Sequence, residues 1–163
     1  MSFAKNLVIF AREQKSLEEN EFDSDRDKMI IVFDGDIFEE KVQGYDELIT
    51  SIEERDIAAV SNPGFELFLL LHIDGSFEKY IKGHEAEFMT MIDGKYAYAY
   101  NILLEATGMN AKKNSNIGNL AENVMTAINQ ERLINQDIHR LKGKVSSNIG
   151  VIIEGILNEE PDI

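Results

Sequence analysis

The chain has 163 residues, a formal net charge of −14 and 44% apolar residues, and it contains no cysteine. That length and apolar fraction suit one folded domain with its own core and exclude a disordered chain. The missing cysteine excludes disulfides and thiolate sites. No run approaches the ~20 apolar residues of a membrane span, and the N-terminus lacks the apolar core of a signal peptide. We therefore expect a cytoplasmic protein with no membrane partner.

The acidic excess bears on nucleic-acid binding. A sequence-independent grip on a nucleic-acid backbone needs Lys and Arg facing the phosphates, and this chain has 16 of these bases against 30 acids. A small basic groove, or a metal that neutralises the phosphate locally, remains compatible with this composition.

The first predicted elements are a short strand and an exposed connection. Residues 5–11, KNLVIFA, form a short apolar run that predicts a strand. Residues 12–27 are dominated by charged side chains, which predicts a solvated connection with one helical turn at most.

The central stretch, residues 28–37, is read as KMIIVFDGDI. Its apolar run is typical of a strand that is buried on both faces, as in a parallel sheet. Gly35 ends the strand between two acids, Asp34 and Asp36. Ligands of open α/β sheets bind beyond the carboxyl ends of the strands, where two carboxylates could share Mg²⁺. The alternative is an Asp-Gly-Asp turn that only stops the strand, because turns favour both residue types.

A helix and a further strand follow this turn. Apolar residues recur at three- and four-residue spacing over 39–54, which predicts an amphipathic helix. Residues 56–61, DIAAVS, then predict a parallel strand, and strand–helix–strand in this order is a right-handed βαβ unit. Strands at 5–11, 28–33 and 57–61 together predict a small parallel sheet flanked by helices.

The stretch from Ser61 to Ile73 reads SNPGFELFLLLHI and predicts a buried helix. Asn62 is the expected N-cap, with Pro63 at the first helical position and the helix N-terminus directed at Asp34. Glu66 is either an acid favoured by the helix dipole or a third acid near the strand ends. His72 is more readily a core histidine than a ligand.

From Ser76 onward the pattern becomes helical, so we expect a mainly helical second half. Predicted helices cover residues 76–82, 84–93, 95–107 and 117–128, and a last helix follows residues 146–148. The alternating tyrosines of 95–107 are interpreted as core residues, although such a stripe could stack bases. Positive charge is concentrated only from Lys112 to Lys144, where solvated surface is the simplest interpretation.

Two strings in this order resemble the RloB-like family. They are VFDGDIF, from Val32 to Phe38, and SNPGFELFLLLHI, from Ser61 to Ile73. The family carries VFDxD at a strand end followed by SNPxFELWLLLH, and Phe68 stands here where it often has Trp. The resemblance covers roughly residues 5–157, and its specific part is 29–73. It implies a Toprim-related α/β fold. Proteins of this family are encoded at restriction–modification loci.

The resemblance also implies a metal site. Toprim proteins hold Mg²⁺ against a phosphodiester with a glutamate on a first strand and a later DxD pair. Carried onto this chain, the pair falls on Asp34 and Asp36, which would bind Mg²⁺ or Mn²⁺. Glu66 would help to hold the metal or orient water, so these three are the expected catalytic residues.

Substrate contacts are expected from the same motifs. Asn62 belongs to the SNPxFE string, and Lys79 and Lys82 belong to EKYIK, which is compatible with the family. The expected substrate is a nucleic acid.

One departure concerns the family's Glu-Gly strand, which does not precede KNLVIFA in this chain. The chain is then a fragment, works without that glutamate, or uses another acid such as Glu13.

Two functions follow as hypotheses. One is a Mg²⁺-dependent nuclease linked to restriction–modification or phage defence. The other is a degenerate binding or regulatory module whose partner is an ATPase from the same locus. We expect a single domain over 1–163, with a Toprim-like part at 1–75 and a helical part at 76–163.

Overall fold

The computed structural model describes residues 3–35, 44–92, 96–110 and 112–158. Its helices and strands follow in chain order: α1 Phe3–Lys15, β1 Ile30–Asp34, α2 Tyr45–Glu53, β2 Ile57–Asn62, α3 Phe65–Leu71, α4 Glu85–Phe88, β3 Met91–Ile92, β4 Tyr96–Ala97, α5 Tyr98–Thr107, α6 Val124–Glu131, β5 Ser146–Ser147 and α7 Ile149–Asn158. Short 3-10 segments cover Glu18–Asn20, Ser115–Asn123 and Ile138–Arg140, and a π-helical turn covers Phe77–Ile81.

A three-stranded sheet in the order β1-β2-β5 organises the fold. β1 and β2 are parallel, with Ile30 opposite Ile57 and Asp34 opposite Ser61. β5 lies antiparallel on the other side of β2. The fold is therefore α/β as predicted, with the parallel β1–β2 pair of a Toprim-like sheet followed by a largely helical half. The predicted all-parallel sheet is wrong in one strand, since the third strand is β5 and not residues 5–11.

Residues 5–11 form part of helix α1, and their prediction as a strand is wrong. Val8 and Ala11, three residues apart, are buried against the β1 face, whereas Ile9 and Phe10 are exposed. A five-residue apolar run fits either a strand or one face of a helix. The good helix formers that follow it extend the helix to Lys15, into the predicted connection.

β1 is buried on one face only in the described part of the chain. Ile31 and Phe33 lie in a core cluster with α1 and α2, but Ile30 and Val32 are 42% and 47% exposed. β1 stands at the edge of the sheet, and the described helices cover one of its faces. The expectation of burial on both faces is therefore wrong.

The βαβ unit is confirmed. β2 covers Ile57–Asn62, and α2 buries residues at the predicted three- and four-residue spacing, namely Tyr45, Leu48, Ile49 and Ile52. α2 begins at Tyr45, and the first part of the predicted helix, 39–43, lies outside the described residues.

Helix α3 is buried as predicted and lies at the centre of a second core cluster. Leu67, Leu70 and Leu71 have no exposed surface. α3 packs against β2, α5 and α6, so the helical half is built around it.

The second half differs from the prediction in its short strands. β3 and β4 pair as an antiparallel hairpin inside the predicted helices 84–93 and 95–107, and β5 precedes α7. The predicted helix 117–128 is a 3-10 segment, Ser115–Asn123, followed by α6. Among the described residues, no helix has both the length and the apolar character needed to cross a membrane.

Candidate functional site

Asp34 is the last residue of β1 and contacts the start of α3. The backbone N–H of Phe65 donates a hydrogen bond of 2.8 Å to Asp34 Oδ1. The N-terminus of α3 is thus directed at Asp34, as predicted. This hydrogen bond uses Oδ1 of the carboxylate and does not involve Oδ2.

Asn62 does not cap α3, and its predicted N-cap role is wrong. The Asn62–Pro63 peptide is cis, α3 begins at Phe65, and Gly64 precedes it without a side-chain cap. Asn62 is instead a buried residue of β2, next to β5, and its Nδ2 donates to the Lys144 and Leu141 carbonyls at 2.7 and 3.3 Å. It therefore ties the sheet to the turn that leads into β5.

Gly35 packs directly on Asn62. A Cβ atom at Gly35 would lie 2.6 Å from Asn62 Cβ and 2.8 Å from Asn62 Oδ1. That Oδ1 is buried and has no hydrogen-bond partner among the described residues. The glycine of the Asp-Gly-Asp turn is therefore required by close approach to Asn62.

Replacing Gly35 by alanine should destabilise the chain by about 1–3 kcal/mol, because the Asn62 side chain would have to leave its two carbonyl partners. Urea denaturation followed by circular dichroism measures the change. Gly155 on α7 is the matched control, since a Cβ there meets nothing within 4 Å. Gly155→Ala should stabilise by about 0.5–1 kcal/mol. Equal effects of the two substitutions would contradict the proposed close contact.

Glu66 brings a second carboxylate to Asp34. The position of a Cβ on Gly64 would lie 3.0 Å from Glu66 Oε2 and 3.8 Å from Asp34 Oδ1, so both side chains face the same glycine. Asp34 as a whole residue is exposed, but partial desolvation of its carboxyl group raises its pKa; the Phe65 N–H opposes the rise, Glu66 adds to it, and Lys112 opposes it. Two acids of the predicted set are thus electrostatically coupled. Asp36 lies outside the described residues.

Asp34→Asn should raise the melting temperature at pH 7 in the absence of divalent cations. The folded-state pKa of Asp34 lies above its ordinary value of 3.8, so the ionised form costs stability at neutral pH. That cost disappears as the pH falls through the folded-state pKa, and the asparagine Oδ1 can still accept from Phe65. The difference between variant and parent should therefore shrink toward pH 4 in a thermal melting series. A variant less stable than the parent at pH 7 would contradict the raised pKa.

A cleft of about 480 Å³ begins at these two acids; we refer to it as the Asp34 cleft. α3, the 3-10 segment Ser115–Asn123, α6 and α7 form its walls, which are mostly apolar. Its lining includes Phe65, Phe68, His72, Lys112, Ile117 and Gly118.

His72 has the character of a core histidine but also lines the Asp34 cleft. It is 5% exposed, and its Nδ1–H donates to the Phe68 carbonyl at 2.9 Å. Its ring meets that of Phe68 edge-on, with centroids 4.9 Å apart. Burial lowers its pKa, which favours the neutral ring at pH 7. The Nδ1–H tautomer leaves Nε2 as a hydrogen-bond acceptor.

The predicted substrate lysines lie on the Phe77–Ile81 turn and just after it. Lys79 Nζ lies 4.6 Å from the centroid of the Tyr80 ring, and Lys82 forms an exposed ion pair of 2.7 Å with Glu78. Neither lysine lines the Asp34 cleft, and the exposed Glu13 of α1 does not line it either. Substrate binding by Asn62, Lys79 and Lys82 remains a prediction.

Lys112 is the site residue that sequence reasoning missed. The sequence favours solvated surface for Lys112, but the fold brings it to the Asp34 cleft, where its charge lowers the pKa of Asp34. Its Nζ also lies 5.7 Å from the centroid of the Tyr100 ring. No sequence motif predicts that residue 112 lies near residue 34. The concentration of positive charge that begins at Lys112 is the one feature of the sequence that pointed to this region.

Within the described ranges, no group of three or more His, Cys, Asp or Glu side chains is arranged to hold a metal ion. Asp34 and Glu66 are two candidate ligands. The DxD motif predicts Asp36 as the third ligand, and Asp36 lies outside the described residues.

The family model described as RloB-like protein matches residues 2–156. No curated protein matches the chain, and no solved structure matches it.

Proposed function

The chain belongs to the RloB-like protein family, and from that premise we propose that it is a divalent-metal-dependent enzyme that hydrolyses phosphodiester bonds in nucleic acid. The observation that supports the proposal is the pair of carboxylates, Asp34 and Glu66, that face Gly64 beyond the carboxyl end of β1. Ligands of α/β proteins bind at this end of the strands.

Asp34 and Glu66 would be the ligands of a hard cation. Asp34 and Glu66 offer carboxylate oxygens, which Mg²⁺ and Mn²⁺ prefer, and Asp36 of the DxD motif would add a third. Their mutual repulsion and the raised pKa of Asp34 are what a cation relieves. When bound, the metal supplies Lewis-acid polarisation of the phosphate and lowers the pKa of its water.

The chain's own groups orient the substrate. Asp34 accepts the Phe65 N–H through Oδ1, so Oδ2 is not needed for this contact. Lys112 brings positive charge to the same place and would favour a phosphate over other ligands. Glu66 would orient the attacking water. This arrangement lets an acidic chain accept a phosphate at one place without a basic surface.

A cleavage assay tests the proposal. End-labelled DNA and RNA, each single-stranded and duplex, are incubated with the chain in Mg²⁺, Mn²⁺ or EDTA and analysed on denaturing gels. We expect internal cleavage in Mg²⁺ or Mn²⁺ and none in EDTA. Absence of cleavage of all four substrates in both metals, or equal cleavage in EDTA, would contradict it.

A link to restriction–modification or phage defence is part of the proposal and rests on the family resemblance. Its test is the plating efficiency of phage on cells that carry the complete locus, with and without the Asp34→Asn substitution. Equal plating on both strains would contradict the link.

A binding or regulatory module that partners an ATPase is the second candidate. Exposed apolar side chains on α7, among them Val151, Ile156 and Leu157, favour it, because such surfaces are common at interfaces. Co-purification with the ATPase encoded at the same locus, combined with no metal binding, would support this function over the first.

A further inference from the structure

The Asp34 cleft is larger and more apolar than a metal site requires. Two or three carboxylates and a few waters suffice for Mg²⁺. The cleft instead has a volume of about 480 Å³ and extends away from Asp34 between α3 and the Ser115–Asn123 segment. Ile117, Val124 and Ile153 lie on its walls. This volume is within the range of small-molecule sites.

Aromatic side chains line the cleft next to the acids. Phe65 follows Gly64, the glycine that both carboxylates face, and is 40% exposed. Its ring centroid lies 6.1 Å from that of Phe68, whose ring contacts His72. An exposed aromatic face beside a charged site is typical of platforms on which planar ligands stack.

Charge is distributed unevenly along the cleft. Asp34 and Glu66 lie at one end, and Lys112 lines the cleft together with them. Beyond them, the neutral His72 is the polar side chain among apolar neighbours. The fitting ligand therefore carries a phosphate at one end and a flat, largely apolar group at the other.

We infer that the Asp34 cleft binds an unpaired nucleobase whose attached phosphate lies at Asp34 and Glu66. The inference rests on the proposed function for the position of the phosphate. A base inside a duplex is paired and stacked and cannot enter a cleft, so the ligand is a single strand or an extruded nucleotide. Recognition is by stacking and shape, which every base permits, so we expect little preference among the four bases.

Gly118 provides the variant that tests the cleft. It lines the cleft, and a Cβ there would meet nothing within 4 Å, so Gly118→Trp can fill the space without disturbing the backbone. Gly155→Trp is the matched control, because its Cβ also meets nothing and it does not line the cleft. Phe65→Ala is a second variant that removes the exposed ring. Circular dichroism confirms the fold of each.

The measurement is fluorescence anisotropy with a dye-labelled oligothymidylate, an abasic strand of equal length and a duplex, in Ca²⁺ and in EDTA. The base-bearing strand should bind about tenfold more tightly than the abasic strand and the duplex. Gly118→Trp should remove this preference, Phe65→Ala should reduce it, and Gly155→Trp should retain it. Equal binding of base-bearing and abasic strands in both conditions, or a preference that survives Gly118→Trp, would overturn the inference.

Two further outcomes separate this inference from the proposed function. A base preference that persists in EDTA, in a chain that neither binds metal nor cleaves, would support the cleft and reject the hydrolase. Competition by thymidine 5′-phosphate as effective as that by the strand would overturn a strand as the ligand, since a free mononucleotide would then suffice.

Discussion

Replacing Glu131 by alanine should lower the free energy of unfolding by about 3–5 kcal/mol. Glu131 ends α6 and has no exposed surface, yet its carboxylate is fully used. Oε1 accepts from the Ser147 hydroxyl and, at 2.8 Å, from the Gly150 N–H, while Oε2 accepts from the Val151 N–H at 3.0 Å. Gly150 and Val151 lie at the start of α7, where N–H groups have no partner within the helix, and Ser147 belongs to β5.

The expected loss has two sources. Alanine would leave buried donors of α7 and β5 without an acceptor, and each costs about 1–3 kcal/mol. It would also remove the negative charge that the N-terminus of α7 favours. Gly150 allows the approach, since a Cβ there would lie 2.6 Å from Glu131 Oε2.

Urea denaturation measures this effect, and Glu154→Ala is the matched control. Glu154 forms a partly exposed ion pair with Arg132, and surface pairs contribute about 0–1 kcal/mol. A Glu131→Ala variant that unfolds within 1 kcal/mol of the Glu154→Ala variant would contradict the capping role.

The double substitution Asp34→Asn with Asp36→Asn should lower the rate of metal-dependent cleavage by on the order of 10³-fold, because Lewis-acid stabilisation of a phosphoryl transition state is worth several kcal/mol. Both positions follow the core residues of β1, so the fold should be retained. The rate is measured at saturating substrate over a series of Mg²⁺ concentrations. Glu66→Gln should produce a smaller loss, because its expected role is to orient water.

A second D-x-D sequence in the chain provides the control. Asp23 and Asp25 have the same spacing but lie exposed in the charged segment after α1, where Asp23 Oδ1 accepts from the Asp25 N–H. Asp23→Asn with Asp25→Asn removes the same charge and should leave the cleavage rate unchanged. Equal losses in the two double variants would indicate a non-specific effect of charge.

The sequence predicts those parts of the fold that local patterns determine. β1, β2, α2 and the buried α3 all follow from apolar periodicity, and Asp34 follows from its place at a strand end. The prediction of a strand for residues 5–11 is wrong because a short apolar run fits the period of a strand as well as that of a helix. β5 has only two residues and no pattern, so antiparallel pairing with β2 could not be anticipated.

The site was predictable in its acids but not in its surroundings. Asp34 and Glu66 lie in adjacent motifs, and the parallel pairing of β1 and β2 brings the two motifs together. Lys112 and the Asp34 cleft depend on how the helical half packs onto α3, and Glu131 is buried within a polar stretch. Contacts between residues so far apart in the sequence cannot be predicted from the local spacing of apolar and polar residues.

Cation binding at Asp34 and Glu66 is tested most directly by isothermal titration calorimetry. Mg²⁺ and then Mn²⁺ are titrated into the parent chain and into Asp34→Ala, with Asp23→Ala as the exposed control. We expect weak saturable binding to the parent and to Asp23→Ala and none to Asp34→Ala. Excess metal should also raise the melting temperature of the first two only, because a ligand that binds the folded state stabilises it. Saturable binding to Asp34→Ala with the parent's affinity, or no binding to the parent, would contradict a metal site at the end of β1.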